Sequence, residues 1–90
     1  MTQKHHDKIS LMRSRLMKAL SPDFLEITDE SGKHIGHVGA LSGGGHFALK
    51  ISAKIFEGKS LVASHKLIYQ ALGDMMKKDI HALKIQIIKI

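Results

Sequence analysis

The order of apolar and polar residues divides the chain into helical and strand-like stretches. Over residues 8–20, Ile9, Met12, Leu16, Ala19 and Leu20 recur at helical spacing, and Lys8, Arg13, Arg15 and Lys18 lie mostly off that stripe. This predicts a helix with one buried face. Pro22 stops it, because the residue before a proline, here Ser21, is pushed out of the α region. In residues 24–29, Leu25 and Ile27 alternate with Glu26 and Thr28, the period of a half-buried strand. Residues 32–45 hold six of the eight glycines and predict a loop. Alternation returns over 46–53, where Phe47, Leu49 and Ile51 are interleaved with Ala48, Lys50 and Ser52.

Glu57-Gly58-Lys59 has the chemistry of a turn, and Ser60 is placed to cap a helix over 61–72 with Leu61, His65, Ile68 and Leu72 on one face. Gly73 interrupts that helix, and residues 74–79 predict one or two further helical turns. In residues 82–89, Leu83, Ile85 and Ile87 alternate with Lys84 and Gln86 as a last strand. The order is αββαβ with a short extra helical turn before the last strand. It predicts an α+β domain, a three-stranded sheet with helices on one face. Whether the last strand runs parallel to the second or returns to the other edge is open at this level. Residues 1–7 are polar and are expected to form a flexible N-terminal tail, leaving 8–90 as the folded domain.

Ninety residues suffice for one domain with one modest core. With 43% hydrophobic and 24% charged residues the chain should fold rather than stay disordered. Aromatic residues are only 4%, so the core is expected to be aliphatic, with five methionines as fillers. The net charge of +6 favours an anionic partner, namely nucleic acid, an acidic protein surface or anionic lipid, although surplus lysine also serves solubility. The absence of cysteine excludes disulfides and thiolate metal sites built by this chain alone. No apolar run approaches the roughly 20 residues of a membrane span. The polar start lacks a secretory apolar stretch, so the expected location is the cytoplasm. No nucleophile–base–acid set is visible. Ser64 and His65 are adjacent and would point to different sides of a helix, so an enzyme is not expected.

Candidate chemistry concentrates in seven histidines. His5 and His6 fall in the polar tail. His65 on an apolar helix face and His46 at the opening of a strand read as scaffold. His34 and His37 sit in the glycine-rich loop, where an imidazole can reach a partner or a metal. His81 opens the last strand, held by the scaffold yet near solvent. His34 and His81 are candidate paired metal ligands, at a spacing too long to be a signature by itself. Lys59 in the turn, with Lys54 and Lys66 nearby, offers candidate nucleic-acid phosphate contacts assisted by the amides of the helix start.

Six runs occur in order: Ala19-Leu20-Ser21-Pro22, Asp29-Glu30-Ser31-Gly32-Lys33-His34, Gly45-His46-Phe47, Phe56-Glu57-Gly58-Lys59-Ser60-Leu61, His65-Lys66-Leu67-Ile68-Tyr69 and Ile80-His81-Ala82-Leu83. Together they resemble the BolA-like family over residues 8–88, in its histidine-type loop form. The resemblance implies an α+β fold similar to the type II KH domain, with a helix-turn-helix-like segment. It implies two activities. One is partnership with a monothiol glutaredoxin, sharing a bridging 2Fe–2S cluster with that protein and glutathione for cluster delivery or iron sensing. The other is DNA-binding transcriptional regulation. By position, His81 matches the family's cluster-ligating histidine and His34 its second candidate, with His37 as a competitor in the same loop. Ser64 departs from the family pattern, which carries arginine before the helix histidine, and this removes a positive charge from the nucleic-acid-binding face. Iron–sulfur clusters are normally held by thiolates, and imidazole replaces some of them in Rieske centres. A chain with histidines and no cysteine must therefore borrow thiolates, and protonation of an imidazole competes with iron, which suits a labile cluster. Alone, the protein is expected to be a monomer or weak dimer without a cofactor and without a membrane partner.

Overall fold

The computed structural model describes residues 3–30 and 45–89. The elements in chain order are α1 (Gln3–Leu20), β1 (Phe24–Asp29), β2 (Gly45–Ser52), a 3₁₀ turn (Lys54–Phe56), α2 (Leu61–Leu72), α3 (Met75–Lys78) and β3 (Ile80–Ile87). The loop expected over 32–45 lies outside the described residues except for Gly45, which opens β2.

Helix α1 buries Met12, Leu16 and Leu20, one row at four-residue spacing, as the pattern predicts, but Lys8, expected off that stripe, is buried at the head of the same row. Its start differs. The helix begins at Gln3, so residues 3–7, expected in the N-terminal tail, have helical backbone. That stretch carries no apolar stripe to read, yet it holds no glycine or proline, and helix propagation adds one bond per residue once a nucleus exists. At the other end Ser21 adopts the left-handed region at φ 47°, and its amide donates to the Met17 carbonyl at 3.1 Å. The last turn is closed in this way before Pro22 turns the chain towards β1.

The sheet order is β1-β2-β3. β1 runs antiparallel and β3 parallel to β2, so the crossover through α2 and α3 delivers the last strand to the edge opposite β1. On the helix-covered face Phe47, Leu49 and Ile51 are buried, with Ile27 on one side and half-buried Leu83, Ile85 and Ile87 on the other. The opposite face of the same strands presents Glu26, Lys50, Lys84 and Gln86, all exposed. This alternation explains why a sheet covered by helices on one side reads so clearly in the sequence.

Two details depart from the alternation. β3 starts at Ile80, two residues before the expected 82, because Ile80 is buried and the Gly45 amide donates to the Asp79 carbonyl at 3.0 Å. The register then shifts: Gly45 faces Ile80 but His46 faces Ala82, which leaves His81 as the extra residue of a bulge. In α2 the bounds are as predicted, but the buried row is Ser64, Ile68 and Leu72. Leu61 is 68% exposed in the first turn, and His65 is half-buried with its ring edge-on to Tyr69 at 6.3 Å.

One side chain ties the two long helices together. Arg15 Nη1 donates to the Leu72 carbonyl at 2.6 Å and to Asp74 Oδ1 at 3.0 Å. The Arg15 hydrogen bond, aided by its charge and that of Lys78, holds the Asp74 carboxyl below its ordinary range.

Candidate functional site

Chemistry-bearing residues gather at the two ends of the sheet. At the first end, the parallel pairing of β2 and β3 places His46 beside His81, with ring centroids 5.0 Å apart and planes tilted by 35°. His81 is exposed in the bulge and His46 is half-buried. Behind them, Gly45 is buried under the ring of Phe47, where a Cβ atom would meet the ring's Cζ at 2.5 Å. The absence of a side chain at Gly45 lets the core aromatic close over the strand that presents His46. Glu30 follows β1, and its amide donates to the His46 carbonyl at 2.7 Å. Its carboxylate, 16% exposed, pairs with Lys84 at 3.3 Å and so spans from β1 to β3 beside the imidazoles.

His81 is thus an exposed imidazole held by scaffold, as its position in sequence suggested. His34 and His37 lie outside the described residues, and with them the expected pairing of His34 with His81. What sequence reasoning missed is the proximity of His46 to His81. The two are far apart in the chain and meet only through the strand register; a histidine just after the glycine-rich segment was the available signal. Among the described residues no group of three or more His, Cys, Asp or Glu side chains is arranged to hold a metal ion.

The second end lies where β2 and β3 finish, about 20 Å along β2 from His46 at strand rise. A cavity of about 550 Å³ opens there, beneath the turn that leads into α2. Lys54 and Lys59, two of the three expected phosphate contacts, line it, together with Lys89. Lys66 is exposed on α2, outside that lining. Gly58 takes φ +74°, which shapes the turn, and Lys59 Nζ donates to the Ile55 carbonyl at 2.7 Å. Ser60 caps α2 by accepting from the Ala63 amide at 3.1 Å.

These features define a small α+β domain that offers its chemistry at the surface: imidazoles at one end, lysines and a helix start at the other. No helix of the described residues is long and apolar enough to cross a membrane. The chain belongs to the BolA-like family, whose model, described as BolA-like protein, matches residues 16–89. It is 43% identical over 79 residues to the SufE-like protein 1, chloroplastic/mitochondrial, of Arabidopsis thaliana, covering 82% of this chain and 21% of that protein. With the chloroplastic protein BOLA1 of the same plant the identity is 40% over 82 residues, covering 88% of this chain and 51% of that one. The DNA-binding transcriptional regulator BolA of Escherichia coli strain K12 is 32% identical over 72 residues, covering 80% and 66%. The solved structure of BolA1 from Arabidopsis thaliana superposes with a TM-score of 0.73 at 41% identity, covering 87% of this chain and 86% of that one. The chain therefore spans about half the length of the curated BOLA1 relative and about a fifth of the SufE-like one. BolA-like protein, SufE-like protein and transcriptional regulator are not names of enzymatic activities.

Proposed function

We propose that this chain is a non-enzymatic partner of a monothiol glutaredoxin, with which it shares a bridging 2Fe–2S cluster for delivery or iron sensing. The observation that carries the reading is His81: an exposed imidazole fixed in a strand bulge, in a chain without cysteine. One exposed imidazole fits an iron that is shared between two proteins, because the chain's own donors are too few to enclose a metal among the described residues. His81 would supply one ligand and His34 the second, with His37 the alternative in the same loop. Thiolates would come from the glutaredoxin cysteine and glutathione. Within this chain, the bulge presents His81 at the surface, and the His46 ring lies beside it. The cytoplasm is the compartment that we assign to this activity.

Mixing the purified chain with a monothiol glutaredoxin, glutathione, ferrous iron and sulfide tests this. A visible circular dichroism spectrum distinct from that of the glutaredoxin alone is expected, and it should be lost in His81→Ala. A spectrum identical with and without the chain overturns the proposal.

A second reading, DNA binding, is favoured by Lys54 and Lys59 at the turn before α2. Affinity that falls steeply with salt, and survives competitor DNA for a specific sequence, supports it. A flat salt response removes it.

A further inference from the structure

Two serines at the lysine end have no role in either reading. Ser52, the last residue of β2, is 8% exposed, and Ser64, in the second turn of α2, is 2% exposed. Both line the cavity. Neither hydroxyl makes a side-chain hydrogen bond with any described residue. Neither hydroxyl is among the fully enclosed side-chain atoms that lack a partner, so each has solvent access at the cavity and is free there to donate to an occupant with acceptor oxygens.

The surroundings specify that occupant. Ser60 occupies the Ala63 amide, which leaves the first-turn amides of Leu61 and Val62 without an intrahelical acceptor at the positive end of the α2 dipole. Lys54, Lys59 and Lys89 contribute three ammonium groups, against the carboxylates of Asp23 and Glu57 at the same cavity. Donors arriving from a strand end, a helix start and lysines suit a tetrahedral oxyanion, which presents acceptors in several directions. The remaining wall is apolar and includes Phe56 and Ile87, and the volume of about 550 Å³ falls within the range of small-molecule sites. We propose that this cavity binds a small phosphomonoester, its phosphate held by the Ser52 and Ser64 hydroxyls, the α2 start and the lysines, and its organic part against Phe56 and Ile87. The site is independent of the histidine reading and lies at the opposite end of the sheet.

Titration of the full ¹⁵N-labelled chain with phenyl phosphate, followed by amide resonances, tests the proposal. Saturable shifts at Ser52, Leu61 and Ser64 are expected at millimolar concentrations, with weaker binding of inorganic phosphate. Ser64→Ala and Ser52→Ala should each weaken binding on the order of tenfold, the effect of one charge-assisted hydrogen bond. Ser64→Arg should abolish it by filling the cavity, and His81→Ala should leave it unchanged. No saturable shift, or undiminished affinity in both alanine variants, overturns the proposal, because water then satisfies the hydroxyls. Preference of the same amides for duplex DNA over phenyl phosphate overturns it as well, since the site then reads a phosphodiester backbone.

Discussion

Replacing Arg15 with alanine removes two hydrogen bonds of unequal weight. The bond to the Leu72 carbonyl, 2.6 Å long, is partly buried beneath a guanidinium that is 34% exposed. The contact with Asp74 is 3.0 Å long, but that carboxylate is 59% exposed and is shared with Lys78. A hydrogen bond from a charged donor contributes about 1.5–3 kcal/mol, and exposed ion pairs contribute little. The Leu72 bond should therefore dominate, and Arg15→Ala should cost about 2 kcal/mol. For a domain of this size that corresponds to about 10 °C in melting temperature. Asp74→Asn, which leaves the Leu72 bond in place, should cost far less. Urea unfolding followed by circular dichroism, on both single variants and the double variant, separates the terms. If Arg15→Ala costs less than about 0.5 kcal/mol, the reasoning is refuted. It is refuted equally if the cost vanishes once Asp74 is already asparagine, for the ion pair would then carry the whole effect.

Four further outcomes follow from the same geometry. Gly45→Ala should cost about 1–3 kcal/mol by overpacking against Phe47, and its amide spectrum should change around His46 and His81; an unchanged urea midpoint contradicts the packing. Ser21→Gly should add about 0.5–1 kcal/mol by relieving the left-handed residue at the end of α1, seen as a raised melting temperature. His81→Ala should leave stability within about 0.5 kcal/mol of wild type, because the side chain is exposed, while removing the shared-cluster spectrum; a large destabilisation would mark it as scaffold. The acid limb should also respond to Asp74. Its folded pKa lies below the ordinary 3.8, so its contribution is present above that value and is lost as pH falls through the lowered one. Asp74→Asn should make unfolding midpoints less sensitive to pH in that acid window, and identical acid limbs would remove Asp74 from the account.

Much of the fold is legible in the sequence because its elements are punctuated. Ser60 and Gly73 bracket α2, Pro22 separates α1 from β1, and both α2 and β1 fall where the pattern predicts. Legibility fails where a segment is stabilised by something other than its own periodicity. Residues 3–7 are helical without an apolar stripe. Ile80-His81-Ala82 breaks the alternation because a bulge inserts His81, and the strand is held there by the Gly45–Asp79 bond and the burial of Ile80. The neighbourhood of His46 and His81 depends on a parallel register that no local pattern encodes.

Ser64 shows the same limit most clearly, and the reason reaches function. Helical spacing selects Leu61, His65, Ile68 and Leu72 as the inward row, since an apolar stripe is the only signal that spacing can weigh. The buried row instead passes through Ser64, Ile68 and Leu72. A hydroxyl in that row is unfavourable for packing alone, because burial without a partner carries a desolvation cost. Ser64 avoids that cost because it lines the cavity, as Ser52 does, and is not among the enclosed side-chain atoms that lack a partner. His81 breaks its local rule in a comparable way, as an exposed imidazole in a strand bulge at the other end of the sheet. Local rules tend to fail at functional sites, where a binding requirement outweighs the packing preference. The two departures lie toward opposite ends of the sheet, where His46 and Ser52 are about 20 Å apart along β2, beyond the range over which substitutions usually couple. The sheet thus separates the two proposed sites, and a substitution at one is expected to leave binding at the other unchanged.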